Sequence, residues 1–288
     1  RLEKIDPNNP ELLVARIRLA LHQGEDDQAR RLLRQLKQRA PASVMVQQSE
    51  AALRLIAPQG RQQLQQARLL ATSGRLAAAR QAYDELFHGV FPDVNSELEY
   101  WRLVARLDGQ QNLALTRLQA LDRQYPGHIG VRMQIAQLQL QRNSDQQAFD
   151  QLQAVAQNPA GRGQAAGVWL ARIAAQPVSD NSVAQLQRYL DTFTSGDEQR
   201  KGQQELARQQ QLLADPTYRQ RMQGLALVDR GAGAGALATL RAALQARPDV
   251  PDLLGAMGQA LSRTGQRAAS NGYFERAVQI PQEHTSDL

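Results

Sequence analysis

An all-α solenoid of stacked helix pairs is the fold class this sequence predicts, and three observations predict it. Breaker residues recur at a helix-pair period: Pro7 and Pro41 are 34 positions apart, with Gly24-Glu25-Asp26 marking a turn between them. Within several such windows a small residue is followed by large ones at helical spacing, as two antiparallel helices require if their backbones are to approach. Good helix formers dominate, with 42 glutamines and 31 arginines in 288 residues, and no strand pattern survives.

Taken in order, residues 10–43 form the first pair and turn at Gly24. Residues 44–57 read as a single helix, closed by Pro58-Gln59-Gly60 before any partner can form. Residues 60–93 pair through Ala67, Leu70, Gly74, Ala79 and Tyr83. Residues 95–128 pair through Leu98, Trp101, Ala105, Ala114 and Leu118, although Arg102 replaces the usual small residue and predicts a splayed first helix. Residues 129–162 pair through Ile135, Ala136, Ala148 and Leu152. Residues 163–214 hold three helices, at 164–175, 182–193 and 197–214, of which one is unpaired. Asp180, Ser182, Ser195 and Asp215 are the candidate N-caps there. Residues 217–250 then place Gly224, Leu227, Ala236 and Leu240 before Pro248, and residues 251–284 repeat that order with Met257, Gly258, Leu261, Ser270 and Phe274.

This spacing, with its small positions and closing prolines, is that of tetratricopeptide repeats. Residues 1–288 are therefore expected to form one array of six repeats, a right-handed superhelix interrupted by unpaired extra helices. Each repeat of such an array touches only its neighbours, so an unpaired helix redirects the stack. Bends or hinges are expected at 44–57 and within 163–214.

Composition removes most chemistry. There is no cysteine, hence no disulfide, thiolate metal site or thiol nucleophile. His22, His88, His128 and His284 lack the spacing that would place two imidazoles on one metal. The net charge of +6 comes from basic residues interspersed with acids, without a block of like charge. Gly161-Arg162-Gly163-Gln164-Ala165-Ala166 has dinucleotide-loop spacing, but no strand precedes it and it reads as a plain loop. Gly231-Ala232-Gly233-Ala234-Gly235 reads as a loosened turn between helices, and acidic pairs such as Asp197-Glu198 sit at helix starts, where they favour the dipole. No catalytic, cofactor-binding or metal-binding residues are expected, and the chain is expected not to be an enzyme. No apolar run reaches the roughly 18 residues of a membrane helix, so this segment is not expected to insert. Arg1-Leu2-Glu3-Lys4-Ile5 carries no secretory signal, which suggests an excised piece of a longer chain.

Function is then expected on the concave surface lined by the first helix of each repeat. Helix spacing places Arg18, Arg61, Arg68, Arg106, Met133, Gln137, Tyr218, Arg221 and Arg263 there. Guanidinium forks with apolar neighbours suit an acidic or extended peptide. Nucleic acid is not expected as a partner, since Tyr218 is the only aromatic among those groove positions. Trp101 and Trp169 fall on packing faces.

Several stretches, inside and outside the repeat positions, resemble the cellulose synthase operon protein C family of bacterial cellulose secretion. They are RLEKIDPNNPELLVARIRLALHQGEDDQA from Arg1, GRQQLQQARLLATSG from Gly60, EYWRLVAR from Glu99, PVSDNSVAQLQRYLDTFTSGD from Pro177 and QLLADPTYRQRMQGLALVDRG from Gln211. The resemblance implies a periplasmic helical array whose parent chain continues into an outer-membrane β-barrel. It implies a non-enzymatic scaffold between the inner-membrane synthase and that barrel. Implied partners are other cellulose synthase subunits, the barrel of the same parent chain, and peptidoglycan or the nascent glucan. The rival readings are a general peptide-binding adaptor and a sleeve that guides the glucan directly; with aromatics at 5% of the sequence a strong glycan groove is not expected, and the sleeve would need more exposed aromatics.

Overall fold

The computed structural model describes residues 9–280. Pro7, His284 and the end of the sixth expected pair lie outside the described residues. The chain gathers into two compact units, Arg1–Ala165 and Ala166–Leu288. Among the described residues there are sixteen α-helices and no strand.

In the first unit, α1 (Pro10–His22) pairs with α2 (Asp26–Arg39), and α3 (Val44–Ile56) follows without a second helix of its own. Next come α4 (Pro58–Thr72) with α5 (Leu76–Phe87), α6 (Val94–Val104) with α7 (Gln111–Gln124), and α8 (Ile129–Gln141) with α9 (Asp145–Ala156). The helix starts have local causes. Asn9 caps α1 by accepting from the Glu11 amide at 2.8 Å, with Pro10 in the first turn, where its missing N–H is no loss. Asp93 caps α6 by accepting from the Ser96 amide at 2.8 Å. Gly24 reverses the chain between α1 and α2 at φ +73°, and Asn143, at φ +55°, takes the same role between α8 and α9.

The interior of this unit follows from helical spacing. Leu13, Ile17 and Ala20 of α1 meet Ala29, Leu32, Leu33 and Leu36 of α2 and Val46 of α3. A larger core runs from Ala67 on α4 through Tyr83, Phe87, Trp101, Leu118 and Leu121 to Val131 and Ile135 on α8. α6 and α7 share less contact than the other helix pairs of this unit, in keeping with the splay expected at Arg102. The Arg102 side chain is exposed, and its guanidinium donates to Gln134 Oε1 at 3.2 Å and the Gly130 carbonyl at 3.4 Å.

The second unit takes in the end of α10 (Pro159–Ala174), then α11 (Asp180–Thr192) and α12 (Gly196–Ala214). Two pairs follow, α13 (Pro216–Asp229) with α14 (Gly233–Ala246) and α15 (Pro251–Arg263) with α16 (Arg267–Gln279). α11 starts at a capping box between Ser179 and Ser182, one turn ahead of the expected Ser182 cap. Asp215 caps α13 as expected, accepting from the Thr217 amide at 2.8 Å. The small-before-large order has a steric cause here. A Cβ on Gly224 would stand 2.5 Å from Cγ of Leu240, and one on Gly258 would stand 2.7 Å from the Phe274 ring. Only glycine lets α13 and α15 approach their partners this closely.

Two glycine-rich readings are corrected. Gly161 and Gly163 lie inside α10, not in a loop, because Asn158 starts the helix by accepting from the Ala160 amide at 3.0 Å. Gly233 and Gly235 form the first turn of α14, which leaves the turn itself to Gly231 at φ +78°.

Candidate functional site

Apart from Tyr218, the residues expected on the first-helix face divide into three groups. Arg18 on α1, Arg61 on α4 and Gln137 on α8 are exposed and make no hydrogen bond or ion pair among the described residues. Four arginines are engaged within the protein. Arg68 donates to both oxygens of Glu99, from Nε at 2.6 Å and Nη2 at 2.7 Å, and so ties α4 to α6. Arg106 donates to the Ala71 carbonyl at 3.4 Å. Arg221 pairs with Asp252, and Arg263 pairs with Asp229. Met133 forms the third group and is a correction: it is 2% exposed, so it packs inside the unit and offers nothing to a partner. α8 is buried around most of its circumference, at Val131, Met133, Ile135, Ala136, Leu138 and Gln139, so position counting does not find an open face there.

Tyr218 and Arg221 stand together, with the guanidinium 5.2 Å from the ring centroid. They line a cleft of about 660 Å³ that also receives Val178, Leu212, Val250, Arg208 and Arg247. Its arginines are matched by carboxylates: Arg208 is held by Glu205 and Arg247 lies 3.5 Å from Asp215.

Glu99 is the hub of the first unit's surface. Its Oε1 accepts from the buried Tyr83 hydroxyl at 2.5 Å as well as from Arg68. Burial pushes the Glu99 carboxyl upward, but hydrogen bonds from Arg68 and Tyr83, with the nearby positive charge, outweigh it and hold the group below the usual carboxylate range. Burial, reinforced by the bond to Glu99, pushes the Tyr83 phenol well above its ordinary value. The exchange is reciprocal: α5 gives Tyr83 to Glu99 of α6, and α6 gives Tyr100 to Asp84 of α5 at 2.7 Å.

Glu99→Gln is expected to cost the first unit about 1–2 kcal/mol, the loss of a charge-assisted pair with its partners left in place. Because the folded carboxyl titrates below its unfolded value of about 4.3, its contribution is complete above that pH and is lost as pH falls through the folded value. Denaturation of both proteins across pH should show the difference shrinking below about pH 4. A difference that stays constant down to strong acid would refute the role given to the ionised carboxylate.

Among the described residues no cluster of three or more histidine or acidic side chains could hold a metal, and no helix is long and apolar enough to cross a membrane. No protein-family model matches the chain. Among curated proteins it is similar to cellulose synthase operon protein C of Escherichia coli (strain K12), 40% identical over 280 residues and 97% of this chain. It is equally similar to the protein of that description from Salmonella typhimurium, 41% identical over 286 residues and 99% of this chain. The chain spans about a quarter of the length of these relatives, 24% in each case. Among solved structures it is similar to the flexible tandem repeat domain of a bacterial cellulose synthase subunit, at 43% identity and a TM-score of 0.57. That match covers 75% of this chain and 88% of the solved one.

Proposed function

Because the chain belongs to the cellulose synthase operon protein C family, as part of its tandem-repeat region, we propose that it is a non-enzymatic periplasmic scaffold of bacterial cellulose synthesis and export. It links the inner-membrane synthase to an outer-membrane export barrel of the same parent chain through protein–protein contacts. The observation that carries this reading is the 43% identity to the solved tandem repeat domain from bacterial cellulose synthase, of which the chain matches 88%. The surface chemistry supports it. Arg18 and Arg61 are exposed donors with no partner among the described residues, ready for carboxylates or backbone carbonyls of another protein in the assembly.

The test is association of the purified chain with the periplasmic part of the synthase complex, with peptidoglycan as a parallel ligand. Arg18→Ala combined with Arg61→Ala is expected to weaken synthase binding about tenfold or more and leave the melting temperature unchanged. Arg68 and Arg221 are poorer probes, since their loss loosens neighbouring helices as well. No association with the unaltered chain would sink the scaffold reading.

The unpaired helices are the places where the array is proposed to bend, at α3 and within α10 to α12. The description of the related repeat domain as flexible supports this. Solution scattering is expected to require more than one conformation, and a fit by one rigid shape would remove the hinges.

A further inference from the structure

Aromatic residues make up 5% of the sequence, yet five of them meet in one place. Tyr83 and Phe87 on α5, Phe91 in the following loop, and Tyr100 and Trp101 on α6 form a continuous series. Successive ring centroids lie 5.8, 5.0, 5.2 and 4.9 Å apart if the series is followed Tyr83–Phe87–Phe91–Tyr100–Trp101. These rings floor a cleft of about 430 Å³. That volume lies within the roughly 300–1,000 Å³ of sites for small organic ligands.

The rim is polar and offers hydrogen bonds of both senses. Asp84 is exposed and is steadied by the Tyr100 hydroxyl at 2.7 Å, while Glu97 accepts from the Trp101 indole at 3.2 Å. Each carboxylate keeps further acceptor capacity. Gln48 on α3 makes no hydrogen bond among the described residues, and Gln124 on α7 has one long contact, to the Tyr125 hydroxyl at 3.5 Å. The rim's cation, Arg117, lies 5.8 Å from the Trp101 ring centroid.

These groups select the ligand. An anionic group would meet Asp84 and Glu97, and a purely apolar side chain would strip water from the carboxylates and amides without replacing their hydrogen bonds. A neutral sugar ring meets neither objection: its equatorial hydroxyls engage carboxylates and amides, and its C–H faces lie against aromatic edges. We propose that this cleft binds a short segment of a β-1,4-glucan. The choice of this glucan among neutral saccharides rests on the cellulose reading above. Tyr83, Phe87, Tyr100 and Trp101 are each at most 9% exposed, so ring edges and the half-buried Phe91 reach the ligand, not open ring faces. Binding is accordingly weak, with a Kd of about 1 mM, which suits a polymer that passes the site and does not lodge there.

Calorimetric or NMR titration of the whole chain with cellohexaose tests this, with maltohexaose as the α-linked control. Cellohexaose is expected to saturate, and Gln48→Ala combined with Gln124→Ala to weaken it about tenfold while the helical circular dichroism is unchanged. Phe91→Leu, which trims one ring and leaves the floor's hydrogen bonds intact, is expected to weaken it severalfold. No saturable response up to about 10 mM cellohexaose, an equal response to maltohexaose, or full affinity in both variants overturns the proposal. Synthase association that persists without glucan binding removes this inference alone; glucan binding without synthase association removes the scaffold reading alone.

Discussion

Gly60→Ala is expected to destabilise the first unit by about 2–4 kcal/mol, the overpacking and strain cost of a methyl group with nowhere to go. A Cβ at this position would stand 2.0 Å from the Arg54 carbonyl oxygen, 2.9 Å from the carbonyl carbon and 3.1 Å from Cα of Leu55. All three are backbone atoms of the last turn of α3, so no side-chain rotation relieves the clash. The junction has no slack in sequence either, because Ala57 is at once the C-cap of α3 and the N-cap of α4, with Pro58 next. The methyl group must therefore move one helix relative to the other and disturb the seat of the unpaired helix. Thermal denaturation should show the affected transition falling by roughly 5–10 °C. Gly272→Ala on α16 is the control: nothing lies within 4 Å of its added Cβ, and it should be neutral or stabilising by up to about 1 kcal/mol. If the two substitutions behave alike, the α3–α4 junction is not sterically fixed.

Trp169→Ala is expected to cost the second unit about 3–5 kcal/mol, the range for deleting a large aromatic from a packed interior. Trp169 is fully buried, with Tyr189 and Phe193 edge-on at 6.0 and 6.1 Å and the Arg188 guanidinium 5.4 Å from its ring centroid. Tyr189 and Phe193 are themselves 4.6 Å apart. α12 joins them through Gly202, where an added Cβ would stand 2.6 Å from the Tyr189 ring. The irregular three-helix segment is thus organised around one aromatic cluster in place of the repeated small-and-large contacts of a regular pair. Trp169→Phe should cost only about 1–2 kcal/mol, because a ring remains and the void is smaller. Chemical denaturation with near-ultraviolet dichroism reads both, and an alanine variant within about 1 kcal/mol of the unaltered chain would show that the cluster does not hold the segment.

The helix pairs were legible because their determinants are local and periodic. Gly224 and Gly258 mark the close approaches, Pro216 and Pro251 open helices, and Gly24 and Gly231 turn the chain. The start of α10 was not legible, since Gly161 and Gly163 argue against a helix while a modest Asn158 cap and Pro159 argue for one. The candidate surface was legible only in outline. Helix spacing finds which arginines face outward, but it cannot see that Glu99, Asp229 and Asp252 stand opposite three of them. Those partners are 31 to 34 residues away, on the first helix of an adjacent repeat. The aromatic cleft escaped for the same reason: Tyr83, Phe91 and Trp101 are ordinary singly and acquire meaning only once α5 and α6 are side by side.

α13 and α15 are joined at two levels, by Arg221 in the first half of α13 with Asp252 at the start of α15 and by Asp229 with Arg263 at their finishes. Exposed pairs of this kind add little stability. Their signs nonetheless carry direction. α13 runs from positive to negative along its length and α15 from negative to positive, so the two match when laid in the same sense. Laid head to tail they would set arginine against arginine and aspartate against aspartate. The four charges act as a polarity mark that admits one orientation of neighbouring helices and repels the reverse.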